Sequence, residues 1–251
     1  MTALLSVEHV GVRFGGLVAI ADLHFNVREG EIVSLIGPNG AGKTTAFNVV
    51  TGFLKPSHGR VSFRGTPLNG LKPHQITRLG LARTFQRTSV FPDDTVRDNV
   101  LIGLHGKDSS EQAARSAAAA ILDLVGLTAR ADDKAGTLPY GEQRLVGVAL
   151  ALATEPTMLL LDEPVSGMNE SETRSVVNLL RAIRQRGITI LLVEHDMRMV
   201  MEVSDRILVL NYGRLIAEGP PSAIRSDAAV IEAYLGLGSA ARQAGRAAAN
   251  A

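Results

Sequence analysis

The chain has 251 residues, 45% hydrophobic and 20% charged, which fits one large or two small globular domains with a real core. Its 26 lysines and arginines against 25 aspartates and glutamates leave a net charge of +1, so nucleic acid, which calls for a basic surplus or stripe, is not expected as a partner. Cysteine is absent, which excludes a disulfide framework and a thiolate metal site and fits a reducing cytosol.

The first third reads as strands. Leu5–Phe14 and Ile20–Val27 are β-rich runs separated by Gly15-Gly16. Glu29-Gly30 turns the chain into Ile32–Ile36, a buried central strand. "GPNGAGKTT" follows, then a helix from about Lys43 to Val50 that Gly52 closes. Short strands are expected near Val61–Phe63 and Leu81–Phe85. From there the pattern turns helical, with Val96–Leu104 and the Ala-rich Glu111–Val125 as helices. A helical insertion at about 87–150 is expected within a domain spanning 1–237. "TLPYGEQR" (137–144) precedes the apolar Leu145–Ala153, a buried helix.

The α/β alternation then returns. Thr157–Leu161 is a strand, and Glu170–Arg186 a helix with Val176, Leu180 and Ile183 on one face. Ile188–Glu194 is another strand. Arg206–Asn211 and Arg214–Glu218 flank Tyr212-Gly213 as a hairpin, and a short helix near Val230–Leu235 ends the fold. The tail, 238–251, is low-complexity and expected to be disordered. No apolar run approaches the ~20 residues that span a bilayer. The N-terminus lacks a basic region and its apolar stretch is broken by Glu8 and His9, so a cytoplasmic product is expected.

"GPNGAGKTT" (Gly37–Thr45) matches G-x-x-x-x-G-K-[ST] between a predicted strand and a predicted helix, the context of a phosphate-binding loop. Backbone N–H groups of Gly37, Pro38-Asn39, Gly40, Ala41 and Gly42 would converge on phosphate oxygens (Pro38 itself has none to give). The helix start adds its positive end. Lys43 would reach the β- and γ-phosphates, Thr44 would ligate Mg2+, and Thr45 completes the binding stretch. "MLLLDEP" (Met158–Pro164) is a buried strand with Asp162 at its C-terminal end, where ligands bind in open α/β sheets. Asp162 would hold Mg2+ through water, and Glu163 is placed to polarise an attacking water. His195 follows another strand end. A lone histidine is more often structural, but here it sits beside two functional strand ends. Gln86 alone reads as a surface polar residue. Phe14 could be core, or an aromatic face for adenine.

Taken in order, Phe14, "GPNGAGKTT", Gln86, "LPYGEQR", "LLLDEP", "VSGMN" and "LLVEHD" resemble the ATP-binding subunits of ABC transporters from Leu5 to about Leu237. "VRFGGLVAIADLHFNV", "LPYGEQR" and "VIEAYLG" resemble a narrower group, the ATPases of branched-chain amino acid importers. The resemblance implies an α/β P-loop ABC ATPase with a RecA-like core, an antiparallel β layer and a helical subdomain. It implies ATP and Mg2+ as cofactors, Glu163, His195 and Lys43 as catalytic residues, Phe14 on the nucleotide base, and Thr44, Gln86 and Asp162 at the metal.

The resemblance also implies partners. Two ATPase subunits, alike or different, would dimerise head to tail. Pro139, Tyr140, Gly141, Glu142 and Gln143 would then act in trans, with a helix starting near Gln143 facing the partner's γ-phosphate. Membrane permease subunits would dock on a groove lined by Gln86 and the following "RTSVFPDDTVRDNV", and an extracytoplasmic solute-binding protein would act indirectly. The chain would work at the cytoplasmic face of the membrane. Two positions depart from the family pattern: Pro139 replaces the signature serine, and Asn169 replaces an aspartate, though Asn169 can cap a helix with Glu172. The rival readings are an exporter or lipid-transport ATPase and a nucleic-acid-associated ABC ATPase.

Overall fold

Alternating apolar side chains shape the first layer of the fold. In this computed structural model, which describes residues 3–84, 90–104 and 110–234, β1 (Ala3–Phe14) and β2 (Leu17–Arg28) pair antiparallel, with Phe14 opposite Leu17 at the tip. Leu5, Val7, Val10 and Val12 pair with Val27, Phe25, Leu23 and Ile20 across the two strands, and all eight are buried in one core. β4 (His58–Phe63) pairs with the other edge of β1. A two-residue turn with positive φ at Arg64 and Gly65 leads into β5 (Thr66–Pro67).

The second half of the sheet is parallel. β3 (Ile32–Ile36) is buried at every residue and lies between β8 (Thr189–Val193) and β9 (Arg206–Asn211). β7 (Met158–Asp162) pairs with β8, and β6 (Leu81–Arg83) pairs with β7. β10 (Arg214–Gly219) returns antiparallel to β9 and touches β2 at Arg214 opposite Asp22. The full order is β5-β4-β1-β2-β10-β9-β3-β8-β7-β6. Both faces of the parallel part are covered, which is why its strands are continuous apolar runs. Leu159, Leu161, Ile190 and Leu192 feed one core, while Leu160, Leu191, Val193, Val33 and Leu35 feed the other.

α1 (Lys43–Val50) packs Phe47 and Val50 into the second of these cores, and Gly52 at φ 75 ends it as expected. α3 (Val96–Leu104), α4 (Glu111–Leu124) and α5 (Tyr140–Ala153) pack together with α6 (Glu170–Gln185) into the first, through Val100, Leu122, Val146 and Leu180. Asn169 caps α6. Its side chain accepts from the N–H groups of Ser171 and Glu172 at 2.9 and 3.0 Å, and Glu172 returns a bond to Asn169 N–H at 2.8 Å.

Three short helices and one strand were not expected. They are α2 (Pro73–Arg78), α7 (Met197–Val203), α8 (Pro221–Arg225) and β5. Pro73 and Pro221 each occupy the first helical turn, where proline's missing N–H costs nothing. The helix expected near Val230 covers 228–234 among the described residues. β6 ends at Arg83 rather than Phe85, which lies outside the described residues. The helix expected to start near Gln143 begins three residues earlier. Pro139 is its N-cap at φ −53 and ψ 149, and Gln143 N–H closes the first helical bond onto Pro139 O at 3.0 Å. The signature stretch is therefore the first turn of α5.

Candidate nucleotide site

The loop between β3 and α1 is fixed by close backbone packing. Gly37 and Gly42 have φ 152 and 107. A Cβ on Gly37 would lie 2.0 Å from the Leu210 carbonyl oxygen, and one on Gly42 would lie 2.8 Å from that of Ala19. No side chain fits at either position. Gly40, at φ 79, has open space around it. Gly213 N–H donates to Ala41 O at 2.9 Å, so the β9–β10 turn also braces the loop. The arrangement leaves Pro38, Asn39 and Gly40 at the surface, with Thr44 exposed and Thr45 half-buried in the first turn of α1. This is a shaped backbone cradle at a helix start, which fits phosphate groups.

Lys43 is 7% exposed, and its Nζ donates to the carbonyls of Gly37 at 2.7 Å and Pro38 at 3.0 Å. Burial lowers its pKa below the ordinary lysine value, while the carboxylates of Glu163 and Asp162 oppose that shift. Lys43 on α1, Asp162 at the end of β7 and Glu163 just after it thus share one electrostatic environment.

Asp162, at the end of β7, is 3% exposed and meets Arg83 Nη2 at 2.9 Å through its Oδ2. Arg83 also bonds Asn48 at 2.7 Å and Thr51 at 3.2 Å. Arg83 was missed in the sequence. It lies 79 positions from Asp162, and only the pairing of β6 with β7 brings the two together. Arg83→Met should cost about 3–5 kcal/mol of stability, because it leaves Asp162 buried without this partner. Urea unfolding of both chains measures it; a loss below about 1 kcal/mol, the worth of an exposed pair, would show the carboxylate needs no such neutralisation.

Glu163 and His195 meet directly, with Oε1 3.0 Å from Nε2. Glu163 is held by its own N–H on Val193 O at 2.8 Å. Glu194 was also missed. Its buried carboxylate accepts the N–H groups of Val165 at 2.9 Å, His195 at 2.8 Å and Asp196 at 3.4 Å, so it joins the loop after β7 to the loop after β8. Burial raises its pKa, and these three N–H groups oppose the rise.

Phe14 is half-exposed at the tip of the β1–β2 hairpin, and that hairpin reaches the phosphate loop where Ala19 adjoins Gly42. Gln86 lies outside the described residues. In the signature turn, Tyr140 is half-exposed, Glu142 pairs with Arg130 at 3.1 Å, and Gln143 Nε2 donates back to Leu138 O at 2.9 Å. A Cβ on Gly141 would meet Glu172 Oε1 and Met168 Cε, both at 3.5 Å. No cluster of three or more His, Cys, Asp or Glu side chains suited to a metal ion occurs among the described residues. Among the described residues no helix is long and apolar enough to cross a membrane.

Residues 20–166 match the ABC transporter family, and residues 214–238 match the branched-chain amino acid ATP-binding cassette transporter family. The chain is 44% identical to the Escherichia coli high-affinity branched-chain amino acid transport ATP-binding protein LivG, with 93% of this chain and 98% of that one covered. It superimposes on the ADP conformation of MJ1267, an ATP-binding cassette of an ABC transporter, with a TM-score of 0.85 at 32% identity, covering 94% and 100% of the two chains. A dimeric post-hydrolysis cassette, MJ0796 bound to ADP and Pi, matches with a TM-score of 0.78 at 27% identity over 86% and 98%. With the glycine cradle, the strand-end carboxylates and the half-antiparallel sheet in place, the chain belongs to the ABC transporter family of ATP-binding cassettes.

Proposed function

We propose that this chain is the ATP-hydrolysing subunit of an importer for branched-chain or other hydrophobic amino acids, working at the cytoplasmic face of the membrane. The solute class is drawn from the branched-chain amino acid transport relatives, and the observation that carries hydrolysis is convergence. The phosphate loop after β3, Asp162 at the end of β7, and the Glu163–His195 pair all lie at the C-terminal ends of the neighbouring strands β3, β8 and β7.

In this reading the loop amides and Lys43 bind the phosphates, and Lys43 exchanges its two carbonyl partners for phosphate oxygens. Thr44, Asp162 and Gln86 would hold Mg2+, which neutralises charge on the transferring phosphoryl group. Glu163 accepts the proton of the attacking water. His195, 3.0 Å away, orients that carboxylate and would contact the γ-phosphate of bound ATP. Phe14 offers an aromatic face to adenine. Permease subunits and a second ATPase subunit complete the machine, with Pro139–Gln143 presented to the partner's nucleotide. Export, lipid transport and nucleic-acid association have no observation in their favour.

Gly141→Asp tests the trans role. A Cβ there makes only ordinary contacts, no closer than 3.5 Å. The full chain alone should bind ATP as before. The assembled transporter should lose most leucine uptake and ATPase activity, since facing like charges across an interface costs several kcal/mol. Loss of ATP binding by the folded single chain would assign the stretch to its own site.

A further inference from the structure

The loop after β7 carries a strained residue. Glu163 lies in the left-handed region at φ 50. Such a conformation costs roughly 1–3 kcal/mol and persists only where the surroundings hold it. Glu163 N–H is fixed on Val193 O at 2.8 Å, and its carbonyl oxygen accepts Ser166 N–H at 3.2 Å. That carbonyl also accepts Nη1 of Arg144, which comes from a different element, α5. Arg144 is 8% exposed. Its Nη2 donates to the Tyr140 hydroxyl at 2.9 Å, and its guanidinium lies 4.9 Å from the centre of the Tyr140 ring. Arginine suits this place because one rigid, permanently charged fork reaches two acceptors and stacks on a ring.

We infer that Arg144 is a positioning residue for hydrolysis, which fixes the backbone of Glu163 and ties it to the signature turn through Tyr140. The inference rests on Glu163 being the base. With the peptide planes on both sides of Glu163 pinned, the direction of its Cα–Cβ bond is set, and so is the aim of its carboxylate at His195. Tyr140 belongs to the turn that faces the partner's nucleotide in the proposed dimer. A shift of that turn on the partner's side therefore reaches this chain's own base through one side chain.

The test is steady-state ATPase activity of the assembled transporter, with ATP affinity of the full chain measured alongside. Arg144→Met keeps length and burial but removes the donors. It should lower kcat ~10-fold or more with KM for ATP little changed, since a positioned base is worth roughly 10²–10⁴-fold. Arg144→Lys, with a single donor group, should recover part of that loss. Tyr140→Phe keeps the ring at a half-exposed site and should lower kcat roughly 2–10-fold, the worth of one hydrogen bond. The double variant Arg144→Met with Tyr140→Phe should be no slower than Arg144→Met alone. Wild-type kcat in Arg144→Met, or a loss confined to KM, overturns the inference. If Arg144→Met fails to fold, wild-type kcat in Tyr140→Phe overturns it. Glu163→Gln separates the two levels: full turnover there sinks the base assignment itself, whereas slow Glu163→Gln beside fast Arg144→Met sinks only the role of Arg144.

Discussion

Replacing Glu163 with glutamine should leave ATP binding intact and slow hydrolysis by roughly 10²–10⁴-fold, the usual contribution of a positioned general base. The substitution keeps the size of the side chain, and the amide can still meet His195 Nε2, which lies 3.0 Å from Oε1. The main-chain bond to Val193 O at 2.8 Å is untouched, so the strand-end loop should hold its shape. What disappears is a carboxylate able to take a proton. Phosphate release under saturating ATP, with nucleotide titration as control, measures the effect. Wild-type turnover in Glu163→Gln together with loss in Asp162→Asn would exchange the two roles.

Lys43→Ala should abolish measurable hydrolysis and weaken nucleotide binding. The ammonium is the buried positive charge of the phosphate loop, at 7% exposure, and the carboxylates of Glu163 and Asp162 act on it. Removing it leaves two carboxylates facing the incoming phosphates without that counter-charge. It also deprives the Gly37 and Pro38 carbonyls of the donor they share, at 2.7 and 3.0 Å. An orphaned buried acceptor costs about 1–3 kcal/mol, so the variant should also unfold at lower temperature. ATPase assay, nucleotide titration and thermal unfolding read the three effects. Undiminished turnover would remove Lys43 from the mechanism.

The elements legible in the sequence were those with a local cause. The glycine spacing of Gly37–Thr45 announces a backbone cradle, because only glycine tolerates the approach of the Leu210 and Ala19 carbonyls. The apolar runs of β3, β7 and β8 announce strands covered on both faces. The Asn169–Glu172 cap was legible because it closes within one turn of helix. Short elements were not. α2 and α7 have too few residues to show a helical period, and packing, not propensity, holds them.

By itself the sequence determined a strand–loop–helix unit whose glycine pattern fits nucleotide phosphate, with Asp162, Glu163 and His195 at strand ends. Those motifs are contiguous and carry their own geometry. Only the tertiary structure decided which side chains hold them. Strand order puts β6 beside β7 and so joins Arg83 to Asp162. The packing of α5 under the loop after β7 joins Arg144 to Glu163. β8 beside β7 lets Glu194 pin both loops. These partners lie far apart along the chain, and no residue period encodes a pairing that exists only once distant strands and helices have found their neighbours.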